Sequence, residues 1–163
     1  MKINLIVAAS DNDVISIDGN IPWNIPEDMR RFRRLTTGLP VVMGLNTWYS
    51  LPVKPLVDRP NFVVSSRFEH GLCAQSDGSF ECHSFFWLLR RLSAYKYENV
   101  WVIGGQNLLE QAEGIADRLY LTRVHQVFEQ EGDYRYFHTD KNKWELIEAV
   151  RGSTHSFLTY RKK

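Results

Sequence analysis

Short apolar runs recur along the chain with helical patterns between them, and this alternation constrains the fold more than any other feature. Ile3–Ala9, Pro40–Gly44, Asn61–Ser65, Val100–Gly104 and Leu119–Val124 are apolar, β-branched runs, and several lack in–out alternation. Strands covered on both faces read this way. Pro26–Thr36, Asn46–Leu51, Ser84–Tyr95 and Gln106–Glu113 carry helical spacing. In the third of these, Phe85, Leu88, Leu89 and Leu92 share one face, a core-packing stripe. Strands alternating with helices predict an α/β layer fold with a mostly parallel sheet. Trp144–Arg151 and His155–Arg161, joined by Gly152-Ser153-Thr154, add a C-terminal antiparallel hairpin, so the sheet is mixed. The polar segment Ser10–Asn24 predicts a long loop, and long loops in compact domains are often functional.

The length of 163 residues suits one domain spanning 1–163, and no repeat or linker divides it. A net charge of +1 gives no ground for expecting nucleic acid or a membrane surface as partner. Arg30, Arg31, Arg33 and Arg34 read as a solvated helix face. The apolar start MKINLIVAAS is too short to span a bilayer and reads as a buried first strand. Cys73 and Cys82 have no metal or redox spacing and are read as reduced thiols of a cytoplasmic protein. His70, His83, His125, His138 and His155 show no ligand spacing, so no metal is expected. There is no G-x-G-x-x-G after the first strand, no Walker A sequence and no G-x-S-x-G. The usual dinucleotide fingerprint, a P-loop and a serine-hydrolase elbow are therefore missing.

In the block GNIPWNIPEDMRRF a helix begins at Pro26, where a missing N–H costs nothing. Relative to Asp28, Phe32 then lies near about +40°, Ile25 near about +60° and Leu35 near about −20° around the axis. Asp28 thus falls on the apolar arc, with the arginines on the other side. Glu27 is the acid that faces away. A first-turn carboxylate also complements the helix dipole without further role, and helix spacing alone leaves both readings open. If Asp28 points inward it needs a partner, and a flat heterocycle with an amidine-like edge offers two parallel donors.

Two strand–glycine–helix junctions occur, at PVVMGLNTW and at VWVIGGQNLLEQ. Glycine allows close backbone approach, and helix N–H groups can meet an anion. A tight turn alone would give the same residues. Ser65-Ser66-Arg67 follows a third strand with two hydroxyls and a guanidinium suited to a phosphate. Together these features favour a phosphate-bearing dinucleotide at the strand ends.

With LIVAAS, ISIDGNIPWNIPEDM, PVVMG plus TW, VVSSR, VWVIGG, LYLT, EGD and the closing hairpin in this order, the chain resembles dihydrofolate reductase along nearly its whole length. The resemblance implies a single-domain mixed, mostly parallel eight-stranded sheet with helices on both faces. It implies reduction of 7,8-dihydrofolate to tetrahydrofolate with NADPH as cofactor, and with no interface stripe left once the core is assigned, a monomer is expected. On that basis Asp28 would bind the pterin N3 and 2-amino group, Thr122 would share its network, and Trp23 would hold an ordered water. Ile6, Val7, Met29, Phe32, Leu51 and Leu56 would wall the pterin and benzoyl groups, and Arg59 would clamp the glutamate α-carboxylate. Ala8 and Ile103 would meet the nicotinamide carboxamide, with Ile15 also on the cofactor side. Gly44, Leu45, Asn46 and Thr47, with Gly104, Gly105, Gln106, Asn107 and Leu108, would bind cofactor phosphates and ribose. Ser65, Ser66 and Arg67 would hold the adenosine 2′-phosphate end. The Gly104–Gly105 peptide is expected to be cis. The segment Ser10–Asn24 would close over the site, held by Gly132-Asp133.

The chain departs from the family pattern in places. Leu45 and Asn46 stand where many relatives carry a basic residue, Leu109 replaces a frequent aromatic and Gln106 a frequent glycine. Two other readings compete: a related-fold reductase of riboflavin synthesis, and a non-catalytic nucleotide- or pterin-binding protein. Asp28 and Arg59, which answer a pterin edge and a glutamate tail, argue against the first. Retention of Trp23, Asp28, Arg59 and Thr122 together argues against the second.

Overall fold

The computed structural model describes residues 1–163. The chain opens with β1 (Lys2–Ser10), β2 (Val14–Ile17) and α1 (Pro26–Thr36), then β3 (Val41–Gly44), α2 (Leu45–Ser50) and β4 (Asn61–Val64). It continues through β5 (Leu72–Ala74), β6 (Phe80–Cys82), α3 (Phe85–Ala94), β7 (Asn99–Gly104), α4 (Gln106–Glu113) and β8 (Arg118–Val124). It ends with β9 (Tyr134–Tyr136), β10 (Trp144–Val150) and β11 (His155–Lys162).

The main sheet has nine strands in the order β10-β11-β8-β1-β7-β3-β4-β6-β5. Pairs from β8 through β6 are parallel, and the pairs at both edges are antiparallel. The sheet is mixed and mostly parallel, with one strand more than the eight expected. Two of the strands not read from the sequence, β5 and β6, have three residues each, too short for a periodic signal. The segment Ser10–Asn24 is also not all loop. It contains β2, which pairs antiparallel with β9 in a separate two-stranded ribbon.

Alternation along the central strands sends successive side chains to opposite faces. Leu5, Val42, Val100 and Val102 join the large core with Leu88, Leu92, Leu108 and Leu109 of α3 and α4. Ile6, Val41, Met43 and Trp101 join the smaller core, against which Phe32 and Leu35 of α1 and Leu45 and Trp48 of α2 pack. Helices therefore cover both faces. Truncating a fully buried leucine such as Leu5 or Leu121 removes about 2–5 kcal/mol. In α1, Pro26 sits in the first turn with Glu27 and Asp28, and Arg33 and Arg34 sit in the last, so both ends complement the helix dipole. In α3, Ser84 caps the helix by accepting from the Trp87 N–H.

Strand register opens the cleft. β1 pairs with β7 only as far as Leu5 opposite Val102. Beyond that point β1 follows β8 alone, from Ile6 to Ser10. The carboxyl ends of β1 and β7 therefore diverge, with Val7 and Ala8 on one rim and Ile103 and Gly104 on the other.

Candidate active site

Asp28 and Thr122 come together at this divergence. Thr122 lies opposite Ala8 in the β8–β1 register and is buried at 2% exposure. Its hydroxyl donates to Asp28 Oδ1 at 2.6 Å. Burial raises the Asp28 carboxyl above its ordinary value, opposed by the Thr122 hydrogen bond and by the charges of Arg31 and His155, while Glu27 adds to the rise. A half-buried carboxylate with one oxygen fixed by a hydroxyl can present the other to a flat donor pair.

The arginine face needs a correction. Arg30, Arg33 and Arg34 are exposed, but Arg31 is half-buried. Its guanidinium lies 4.6 Å from the Phe157 ring centroid and 5.7 Å from that of Tyr120. It belongs to the electrostatic surroundings of Asp28. Glu27 does face away, pairing with His155 at 2.9 Å.

Arg59 is held in place before any ligand arrives. Its Nε donates to the Val57 carbonyl at 2.7 Å and one terminal nitrogen donates to Thr36 Oγ1 at 2.8 Å. Its guanidinium lies 5.9 Å from the Phe32 ring centroid. Guanidinium has five N–H donors, so others remain for a carboxylate. Thr36 is fully buried and donates to the Phe32 carbonyl at 2.8 Å. The sequence reading missed Thr36, although it lies about 80° from Asp28 on the apolar side of the same helix. The irregular segment before Arg59 is organised by Asn61, whose side chain bonds the Leu56 N–H and carbonyl and the Arg59 carbonyl.

Ile6, Phe32, Leu51 and Leu56 all belong to the smaller core or pack against it, and Val7 packs against the larger one. Met29 is 58% exposed, at the outer edge of this wall. Trp23 packs on Phe128, with ring centroids 5.9 Å apart.

The other half of the cleft is mostly backbone. The Gly104–Gly105 peptide is cis, as expected. A Cβ on Gly44 would lie 3.5 Å from the Gly105 nitrogen, and one on either Gly104 or Gly105 would lie 3.3 Å from Thr47 Oγ1. These glycines and Thr47 thus pack directly together across β3 and β7. Neither helix start after these glycines has a side-chain cap, leaving first-turn N–H groups for an anion. Leu108 sends its side chain into the large core, as does Leu109. Leu45 packs against the smaller core, while Asn46 and Asn107 are exposed. Ile15 packs against the large core from the ribbon. Ser65 Oγ accepts from the Arg67 N–H at 3.2 Å, and Ser66 and Arg67 are exposed.

The ribbon is tied down by Asp133, which the resemblance implied would hold this segment, and by Arg123 and Gln106, for which that tie was not expected. Asp18 N–H donates to the Asp133 carbonyl, and Asp133 N–H donates to Asp18 Oδ1, both at 2.8 Å. Arg123 donates from one nitrogen to Asp13 Oδ1 and the Ser10 carbonyl, both at 2.7 Å. Gln106 Oε1 accepts from the Tyr136 N–H at 3.1 Å, linking β9 to the start of α4. These partners lie about 30 to 115 residues apart, beyond any local pattern.

The family model for dihydrofolate reductase matches residues 2–162. The chain belongs to the dihydrofolate reductase family. It is 34% identical to a dihydrofolate reductase of Neisseria meningitidis over 98% of both chains. It is 32% identical to that of Bacillus subtilis, covering 99% of this chain and 95% of the relative. Among solved structures it resembles a dihydrofolate reductase from Enterococcus faecalis complexed with NADP(H) and RAB-propyl, with TM-score 0.83 and 30% identity over 99% of this chain and 96% of that one. The dihydrofolate reductase fold agrees with the sheet described above. No helix is long and apolar enough to cross a membrane.

Proposed function

We propose that the divergence between β1 and β7 is where this enzyme carries out the NADPH-dependent reduction of 7,8-dihydrofolate to tetrahydrofolate, with Asp28 as substrate anchor. The Asp28–Thr122 hydrogen bond at the mouth of that divergence carries the reading. Asp28 takes the pterin N3–H and 2-amino group as a donor pair, and Thr122 keeps one carboxylate oxygen oriented. Ile6, Val7, Phe32, Leu51 and Leu56 exclude water from the ring and benzoyl faces, and Met29 closes the outer edge. Arg59, already braced by Thr36 and Val57, takes the α-carboxylate with its remaining donors.

The cofactor half fits a dinucleotide on its own geometry. A Cβ on Gly104 or Gly105 would press on Thr47 Oγ1, and the first turn of α4 has no side-chain cap. Gly44 to Thr47 and Gly105 to Leu108 hold phosphates and ribose, mainly through backbone. Ser65, Ser66 and Arg67 take the 2′-phosphate. Ala8 and Ile103 offer backbone to the carboxamide across the diverging strands. When bound, NADPH supplies the hydride received at pterin C6. Holding the two rings in contact makes this step effectively unimolecular. The N5 proton comes from water; Trp23 orders that water, and Asp28 polarises the ring without touching N5. The reading extends to a monomer working in the cytoplasm, where Cys73 and Cys82, which form no disulfide, stay reduced.

The test is NADPH absorbance followed with and without dihydrofolate. Dihydrofolate-dependent loss of absorbance is expected, and its absence with folded protein would overturn the proposal.

A further inference from the structure

Arg31 is the one member of the α1 arginine run that is half-buried, and the reaction as described above gives it no part. It follows Asp28 by three residues, and side chains at that spacing on a helix are neighbours. Tyr120 and Thr122 are two residues apart on β8 and share a face of the sheet, and Phe157 of β11 lies directly across from Thr122. The two rings that hold the Arg31 guanidinium therefore flank the hydroxyl that holds Asp28. One patch of the sheet seats both the anchor carboxylate and a cation.

The cation does not touch the carboxylate. No carboxylate oxygen comes within salt-bridge distance of the Arg31 nitrogens. The ring faces of Phe157 and Tyr120 hold the guanidinium instead. A guanidinium in contact with Asp28 would fill the carboxylate oxygens with its own donors and compete with a ligand for them. A cation held apart on ring faces still lowers the cost of a half-buried negative charge, because charge acts across a gap where a hydrogen bond does not. Burial is the largest influence on the Arg31 guanidinium and lowers it, Asp28 opposes that, Arg34 adds to it, and Glu148 and Tyr120 oppose it. Arginine remains charged throughout. The groups that face this pair are thus Glu27 and Arg34 of α1, Tyr120 of β8, Glu148 of β10 and His155 of β11. Ile6, Val7 and Ala8 of β1 bring no charge. Glu148 and Arg34 line, with Arg31, a groove between α1 and the closing hairpin.

We propose that Arg31 is a positioning residue: clamped on Phe157 and Tyr120, it backs Asp28 with a positive charge that keeps the carboxylate ionised while leaving its second oxygen free for the substrate's donor pair. This rests on the reading that Asp28 anchors the substrate. Thr122 then fixes the direction of the carboxylate, and Arg31 secures its charge. Glu148, on the far side of Arg31, weakens that backing.

The experiment follows the Asp28 carboxyl of the free enzyme by carbon NMR across pH, its signal assigned by its loss in Asp28→Asn. Arg31→Met keeps an apolar stem against the rings and removes the charge. Its Asp28 midpoint is expected at higher pH than in wild type. Arg31→Lys keeps a cation near the rings and should bring the midpoint back toward wild type. Arg34→Gln removes the same formal charge from an exposed site and should leave the midpoint close to wild type. Coincident midpoints in wild type and Arg31→Met would overturn the inference, and so would an equal rise in Arg34→Gln. The second readout is the Kd for dihydrofolate by fluorescence titration. Arg31→Met should bind roughly threefold more weakly at the acid end, with the gap closing as pH rises. A loss uniform across pH would mean that Arg31 only packs, and would also overturn the inference. Should Arg31→Met not fold, Glu148→Gln decides. Glu148 is exposed, and without its negative charge the Asp28 midpoint should move to lower pH; an unmoved midpoint would sink the proposal. The NMR titration needs no turnover, so the two readings fail separately. Coincident midpoints in an active reductase remove this inference alone. Midpoints that move as stated in a protein that does not oxidise NADPH with dihydrofolate remove the proposed function and leave the hold of Arg31 on Asp28 standing.

Discussion

Around Asp28 and Thr122, and again around Arg59 and Thr36, the cleft is made of side chains held by one another. Where Gly44, Gly104 and Gly105 meet, it is made of backbone. At the first end, orientation comes from hydrogen bonds made inside the protein, such as Thr122 to Asp28 and Arg59 to Thr36. At the second, recognition depends on what is absent: no side chains on the glycines and no cap on α4. Side-chain sites fail by losing chemistry, and backbone sites fail by gaining bulk. The same kind of substitution should therefore have opposite signatures at the two ends.

The largest effect is expected at Asp28. Asp28→Asn should lower kcat by about 10²–10³, the range seen when one group that stabilises developing charge is removed. The fold should not suffer. Burial raises the carboxyl, so between its ordinary value and the raised one the native state binds more protons than the unfolded chain. Stability then falls as pH rises through that window, and at neutral pH ionised Asp28 opposes folding. Urea melts should show Asp28→Asn no less stable than wild type at neutral pH, with the difference shrinking in acid. A mutant both inactive and destabilised at neutral pH would show that Asp28 holds the fold instead.

Gly104→Ala should do the reverse, losing stability first. Its φ of +131° is one that side chains rarely adopt, and its Cβ would meet Thr47 Oγ1 at 3.3 Å. A loss of about 1–3 kcal/mol is expected in thermal or urea melts, with weakened NADPH binding by fluorescence titration. A neutral effect on both would break the contrast. Thr122→Val removes the hydrogen bond that lowers the Asp28 carboxyl. It should reduce kcat/KM for dihydrofolate about tenfold and move the acid limb of its pH profile upward. An unmoved limb would mean that Thr122 does not tune Asp28. The smallest change is Leu45→Arg, which adds a side chain to the backbone-built end. A widening of the NADPH/NADH ratio by about threefold is expected, read from kcat/KM for each cofactor.

The same division explains what could be read in the chain. The bounds of α1 and α4 match their periodic patterns, because Pro26 and Gly105 mark the starts and the apolar stripes run unbroken. The inward turn of Asp28 was visible as an angle on the helix. β2 was not, because Val14–Ile17 lies in polar surroundings and its partner Tyr134–Tyr136 is far along the chain. Arg31 read as one more surface charge, because Tyr120 and Phe157, which hold it, come from β8 and β11. Arg59 was placed by resemblance, while the means of holding it, through Thr36 and Asn61, needed three dimensions. The glycine junctions were legible as loci of close approach. What approaches them from within, Thr47, was not.

The β2–β9 ribbon shares no ladder hydrogen bonds with the nine-stranded sheet. Its base is anchored by Arg123 and His138 on Asp13, and its tip by the exchange between Asp18 and Asp133. The base pair to Arg123 is partly buried, whereas Asp133 is exposed. Val14 and Ile17 are buried, so the ribbon opens from its exposed tip, where contacts break before those at the base. Its amides should exchange with deuterium as one group, faster than those of β1 and β8, and the Asp18 and Asp133 amides should lead the rest.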